Sequence, residues 1–196
     1  MFAEFLAERD RPTTKRSHTD RRSIVELLEH CIDGYAYESL SKDEKEFWEP
    51  RWEADETKNS YCRTFGPEKI LEQVGHFLGW FIIRKVAAGP GIAKAAGPVV
   101  GELLEWCEQK GYLSGDELQE AKARAAEGGA DLPRADKLAD LLHDLTQKQV
   151  AGRVLEDRDL INEQMTISKV APGKLWFSDW DGERSGRSSF RKPRAM

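Results

Sequence analysis

The stretch from Pro67 to Ala88, PEKILEQVGHFLGWFIIRKVAA, constrains the fold more than any other part of the chain. Its apolar residues Ile70, Leu71, Val74, Phe77, Leu78, Phe81 and Ile82 recur at steps of three and four, the period of one helical face. Gly66-Pro67 breaks the chain in front of it, and proline suits a first helical turn, where its missing N–H is not needed. The pattern predicts a long helix at the centre of the core.

Flanking segments share that period. Ile24, Leu27, Leu28, Cys31, Ile32 and Tyr35 predict a helix from Ser23 to about Leu40. Ser41 and Glu44 stand at capping-box spacing and predict a second, short helix carrying Phe47 and Trp48, which Pro50 ends or bends. Trp52 to Phe65 reads as irregular. After Gly89-Pro90-Gly91 the apolar pattern resumes from Ile92 to Cys107, kinked at Pro98 or beginning after it, and stops at Lys110-Gly111. A helix from Ser114 to about Ala126 is closed by Glu127-Gly128-Gly129. Another follows Pro133, with Leu138, Leu141, Leu142 and Leu145 as one stripe facing the bundle or a partner.

Near Ile161 the period changes. Met165 and Ile167, then Leu175 and Phe177, alternate on either side of Pro172-Gly173, and Asp181-Gly182 is a second turn signal, so a β-hairpin is expected. The fold class is therefore mainly α, a helical bundle with a small C-terminal β-hairpin. Its expected parts are an N-terminal arm and linker over 1–22, the bundle over 23–152, a β module over 153–183 and a basic disordered tail over 184–196.

Charge narrows the partners. The formal net charge of -5 hides a tail, SGRSSFRKPRAM, with four cations and no acid, so the body is more acidic than the whole. Such a body disfavours nonspecific binding to nucleic-acid phosphates, which requires cations to displace counterions. The longest apolar run, Phe77 to Ile83, falls far short of the ~20 residues of a membrane span. MFAEFLAERDRPTTKRS lacks the layout of a secretory signal. Three unpaired cysteines, Cys31, Cys62 and Cys107, fit a reducing compartment, and the expected location is cytoplasmic.

No motif announces chemistry. In RKVAAGPGIAKAAG the third glycine of a dinucleotide fingerprint is replaced by Lys94, and the preceding segment has helical period, so the glycines read as a corner between helices. His30, Cys31, Cys62 and His76 lack the spacing that puts two metal ligands on one face, while His76 and His143 lie beside apolar stripes. No serine sits in G-x-S-x-G, and acidic runs such as EPRWEADE read as solvated faces. No catalytic residue, metal or cofactor is expected.

FLGWFIIRKV, a small-residue turn and VVGELLEWCEQKGYLS together resemble the closing helices of the SAM-like core-binding domain of tyrosine recombinases, the phage integrases. That resemblance covers about half the chain and implies a four- or five-helix module that clamps DNA with the helix after the turn. It brings no recombinase activity, since too little chain follows Lys148 for a catalytic domain. The helix it would aim at DNA carries Glu102, Glu105 and Glu108. MTISKVAPGKLWFSDWDG is similar to the opening strands of an SH3-like barrel, which implies peptide or nucleic-acid binding by a partial module.

The expected function is a non-enzymatic interaction or assembly module with a protein partner or a second copy. The expected contacts are aromatics such as Trp48, Trp52, Trp176 and Trp180, and the leucines Leu141 and Leu145. The core is the expected place of Trp80 and Trp106. The alternative is DNA or RNA binding by Arg84, Lys85 and Lys94 with the tail residues Arg187, Arg191, Lys192 and Arg194.

Overall fold

The computed structural model describes residues 1–9, 15–57, 60–86, 89–150, 166–172, 174–178 and 185–189. Over these the protein is mainly α with minor β. Contacts divide it into two units, Met1–Asp144 and Leu145–Met196. The first contains α1 (Phe2–Arg9), α2 (Lys15–Tyr35), a 3₁₀ turn (Ala36–Ser39), α3 (Lys42–Ala54) and the single turn α4 (Tyr61–Thr64). It continues with α5 (Glu68–His76), a π-helical turn (Phe77–Phe81), α6 (Ile82–Arg84) and α7 (Pro90–Gln109), and α8 (Asp116–Val150) begins in it.

The apolar stretch that dominates the sequence does lie in the core. At its middle the Ile82 amide donates to the Phe77 carbonyl, five residues back, and the widened turn carries Phe77, Leu78, Phe81 and Ile82 all to the buried side. Helix α7 is the hub of the unit. Its Trp106 meets Phe5 of α1 edge to face at 5.7 Å and donates Nε1–H to Glu8 at 2.9 Å. Its Glu102 accepts from Arg21 of α2 at 2.9 Å. Gly111, at φ 73°, ends it: the Gly111 amide donates to Glu108 and the Tyr112 amide to Cys107, both at 2.9 Å, a Schellman stop at the glycine the sequence marks for it.

Pro50, Pro98 and Pro133 all lie inside continuous helices, so α3 does not end at Pro50 and α7 does not wait until after Pro98 to begin; Gly128-Gly129 falls in the middle of α8, so one helix replaces the two expected there. The glycines serve packing. A Cβ on Gly97 would stand 2.3 Å from the Gly129 amide nitrogen, and one on Gly128 would stand 2.9 Å from Leu78. Pro50 and Pro98 sit on exposed sides of their helices, where the carbonyl that loses its donor is open to water rather than sealed in the core.

The expected N-terminal arm is also corrected. Phe2, Phe5 and Leu6 are core residues, so α1 belongs to the bundle, and α2 begins at Lys15 rather than Ser23.

In the second unit, β1 (Thr166–Ala171), β2 (Lys174–Ser178) and β3 (Ser185–Ser189) form an antiparallel sheet in chain order. Ile167 pairs with Phe177 and Val170 with Leu175, with an irregularity between Ile167 and Lys169. The expected hairpin is β1–β2, and β3 stands in the stretch expected to be a disordered tail from residue 184. Among the described residues, no helix is long and apolar enough to cross a membrane.

The glycine contact predicts opposite outcomes for two neighbours on α7. Gly97→Ala is expected to lower unfolding free energy by about 1–3 kcal/mol, because its methyl group meets backbone that cannot rotate away. A Cβ at Gly101 meets nothing within 4 Å, so Gly101→Ala is expected to be neutral or to stabilise by up to about 1 kcal/mol. Urea denaturation of both variants measures the contrast.

Candidate functional site

Helix α3 is set by its first residue. Ser41 Oγ accepts from the Glu44 amide at 3.3 Å, and Glu44 Oε2 accepts from the Ser41 amide at 2.9 Å, completing the capping box legible in SKDE. That hydrogen bond, together with Lys69 at 3.0 Å, holds the Glu44 carboxyl down to about 2. From this start the helix places Trp48 and Trp52 one turn apart, and Glu49 and Glu53 one turn apart beside them.

These four residues line a cleft of about 770 Å³ together with His30 and Asp33 of α2 and Tyr37 of the 3₁₀ turn. Trp48 is the fixed part of its wall, only 5% exposed. It stacks on Tyr37 at 5.9 Å with 10° between the planes, leans on Trp52 at 5.9 Å and meets Tyr61 edge to face at 6.1 Å. Tyr37 and Trp52 are the open part, 41% and 38% exposed. Its charged members are Asp33, Glu49 and Glu53, and among the described lining residues none is lysine or arginine.

Asp33 ties this wall to α4. It is 6% exposed, and its carboxylate accepts from the Cys62 amide at 2.9 Å and from the Tyr61 amide, which serves the open N-terminus of that short helix. Burial outweighs these bonds and pushes the Asp33 carboxyl above its ordinary range. Glu29 rises for the same reason, with Asp33 adding to it.

The two basic groups of the alternative reading sit elsewhere. Arg84, Lys85 and Lys94 are exposed on either side of the turn between α6 and α7, and none of them lines the cleft. Lys85 lies over the rings of Trp80 at 5.2 Å and Tyr35 at 6.0 Å. Of the acids following them, Glu102 is held by Arg21 and Glu108 by Lys122, while Glu105 is exposed. Arg187 lies on β3 with its Cα opposite Trp176. Trp180, Arg191, Lys192 and Arg194 lie outside the described residues.

Of the expected interface residues, Leu141 is 55% exposed, Leu145 is half-buried, and Trp176 is half-buried beneath Lys169 at 5.1 Å. Trp106 is core, and Trp80 packs half-buried against it. Trp48 and Trp52 are thus the expected aromatics that share one cavity. The signal for it was WEPRWE, whose repeated Trp-Glu pair at helical spacing puts two rings on one face and two carboxylates on the next. Pro50, read as ending or bending the helix, conceals that alignment.

The thiols are poor nucleophiles. Burial pushes Cys31 up to about 12 and Cys107 up to about 11, and drives Cys62 further in the same direction. Among the described residues, no group of three or more histidines, cysteines and acids is placed to hold a metal ion.

The raised Asp33 carboxyl sets a pH dependence. The folded state binds this proton more tightly than the unfolded chain, so its contribution is fully present below the ordinary carboxylate range and is lost as pH rises through the raised folded value. Asp33→Asn is therefore expected to gain relative to the parent protein as pH rises from about 4 to about 7. Urea denaturation of both proteins at each pH tests this, and a difference that does not change with pH would contradict it.

Compared with known proteins, the chain matches no family model, no curated protein and no solved structure.

Proposed function

We propose that the protein is a non-enzymatic helical interaction module that docks a partner protein through the cleft between α2, the 3₁₀ turn and α3. The observation that carries this proposal is the pairing of two open rings, Tyr37 and Trp52, with a buried ring, Trp48, that holds them in place. Tyrosine and tryptophan offer large contact areas with few rotatable bonds, which is why they concentrate at binding hot spots. Here the wall is already assembled in the unbound chain, so little ordering cost remains for a partner to offset. The exposed leucines Leu138 and Leu141 on α8 offer a second apolar contact outside the cleft.

Nucleic-acid binding through Arg84, Lys85, Lys94 and the basic tail is the competing proposal. It draws less support, because Lys85 is already drawn onto two rings and the cleft carboxylates repel phosphate.

A peptide-display selection on the full chain tests the docking proposal. Sequences are expected to enrich on the parent protein at least tenfold over a Tyr37→Ser/Trp52→Ala variant whose helical circular dichroism is unchanged. Equal enrichment on both proteins would refute it. Oligonucleotide binding that weakens steeply with salt would move the assignment to the competing proposal.

A further inference from the structure

We infer that a second copy of this chain covers the outer part of α8, the two helices running antiparallel about a twofold axis. This surface is separate from the cleft and lies where the helix leaves the core. Leu118, Ala121, Ala125 and Leu132 of α8 are buried, but between Pro133 and Asp144, still within the first unit, no residue is. Leu138 and Leu141 stand there 41% and 55% exposed, one turn apart on one stripe. A helix in water draws most of its stability from a covered apolar face, so this stretch calls for a cover.

The flanks of the stripe decide what that cover is. Lys137 and Asp144 lie two turns apart on one flank, both exposed, and among the described residues neither has an ion pair. One turn before Lys137, Arg134 is already held by Asp131 at 3.1 Å. The other flank carries Ala135 and Ala139, which are small enough to let a neighbouring helix approach closely.

A second copy answers both flanks by symmetry. In an antiparallel pair each flank meets its own counterpart. When Leu138 lies beside Leu141 of the second copy, Lys137 comes within two residues, about 3 Å of axial rise, of the level of Asp144 of that copy. The alanine flanks then face each other, and the twofold axis repeats every contact. Run parallel, the same helices turn the Lys137 flank toward the alanine flank, and no carboxylate answers the lysine. An unrelated apolar helix would cover the leucines but return nothing to either charge. The face is short, so pairing falls at the weak end of stable interfaces and depends on concentration.

Sedimentation equilibrium of the full chain from about 10 to about 500 μM tests this pairing. The mass is expected to rise toward that of a dimer. Leu138→Ser/Leu141→Ser is expected to stay monomeric with unchanged helical circular dichroism. Lys137→Asp and Asp144→Lys are each expected to weaken pairing at least fivefold, because like charges then meet twice across the axis. Mixed together, these two variants regain complementary charges and are expected to form a heterodimer as tight as the parent dimer. Such a rescue requires contact between copies, and a role confined to the fold of one chain does not produce it.

A monomer at every concentration would overturn the inference, as would a dimer indifferent to Leu138→Ser/Leu141→Ser. Single charge variants that pair as the parent does, or a mixture without rescue, would overturn the antiparallel arrangement and the inference with it. Peptide docking in the cleft is read by its own selection and stands or falls separately.

Discussion

Backbone packs against backbone where Gly97 of α7 meets Gly129 of α8, with no room for a Cβ on Gly97. With no Cβ on either residue, two helix axes come nearer than larger side chains permit, and dispersion between main-chain atoms replaces interdigitation. The same face of α8 then reaches Leu78 through Gly128 and buries Leu118, Ala121, Ala125 and Leu132. Because α7 also carries the contacts to Phe5 and Arg21, its position fixes α1 and α2 in turn. Asp33 and His30, which close the cleft from α2, depend on that arrangement at one remove.

This dependence explains which features are legible in the chain. Ser41 and Glu44 satisfy each other within four residues, and Gly111 adopts its left-handed conformation beside the carbonyls it serves. Such signals are local, and residues 41 and 111 behave as they read. Gly128 and Gly129 carry the same local signal for a helix end, yet their helix continues, because their small size answers Leu78, Gly97 and Pro98 on other elements. The N-terminal residues reverse the error: FAEFLAER is a short apolar patch interrupted by acids and followed by Pro12, so it reads as an arm, but Trp106 and Lys110 wait for Phe5 and Glu8 roughly a hundred residues away. The cleft is hidden in the same manner. WEPRWE holds half of it, and Asp33 and Tyr37 join only after α2 and the 3₁₀ turn have packed.

The formal charge divides along similar lines. Glu4 and Glu8 hold Lys110, Glu102 holds Arg21, Glu108 holds Lys122, and Glu44 with Glu72 holds Lys69. Each of these pairs joins acid to base within the unit and adds little to its outward field. The outward charge of the unit is consequently not the average over the chain. Three of the remaining carboxylates, Asp33, Glu49 and Glu53, line the cleft beside aromatic rings.

Rigidity is what gives that local charge a direction. Trp48 is locked between Tyr37, Trp52 and Tyr61, and Asp33 binds the amides that open α4, so the wall and the floor of the cleft are held by different elements. The buried Trp48 indole N–H finds no hydrogen-bond acceptor among the described residues, a cost of about 1–3 kcal/mol that an all-apolar ring would not carry. Phenylalanine would fill the core side with less penalty but would offer a smaller face to its two neighbours. The larger ring at this position therefore serves the open rings it supports, and stability of the bundle alone does not account for it.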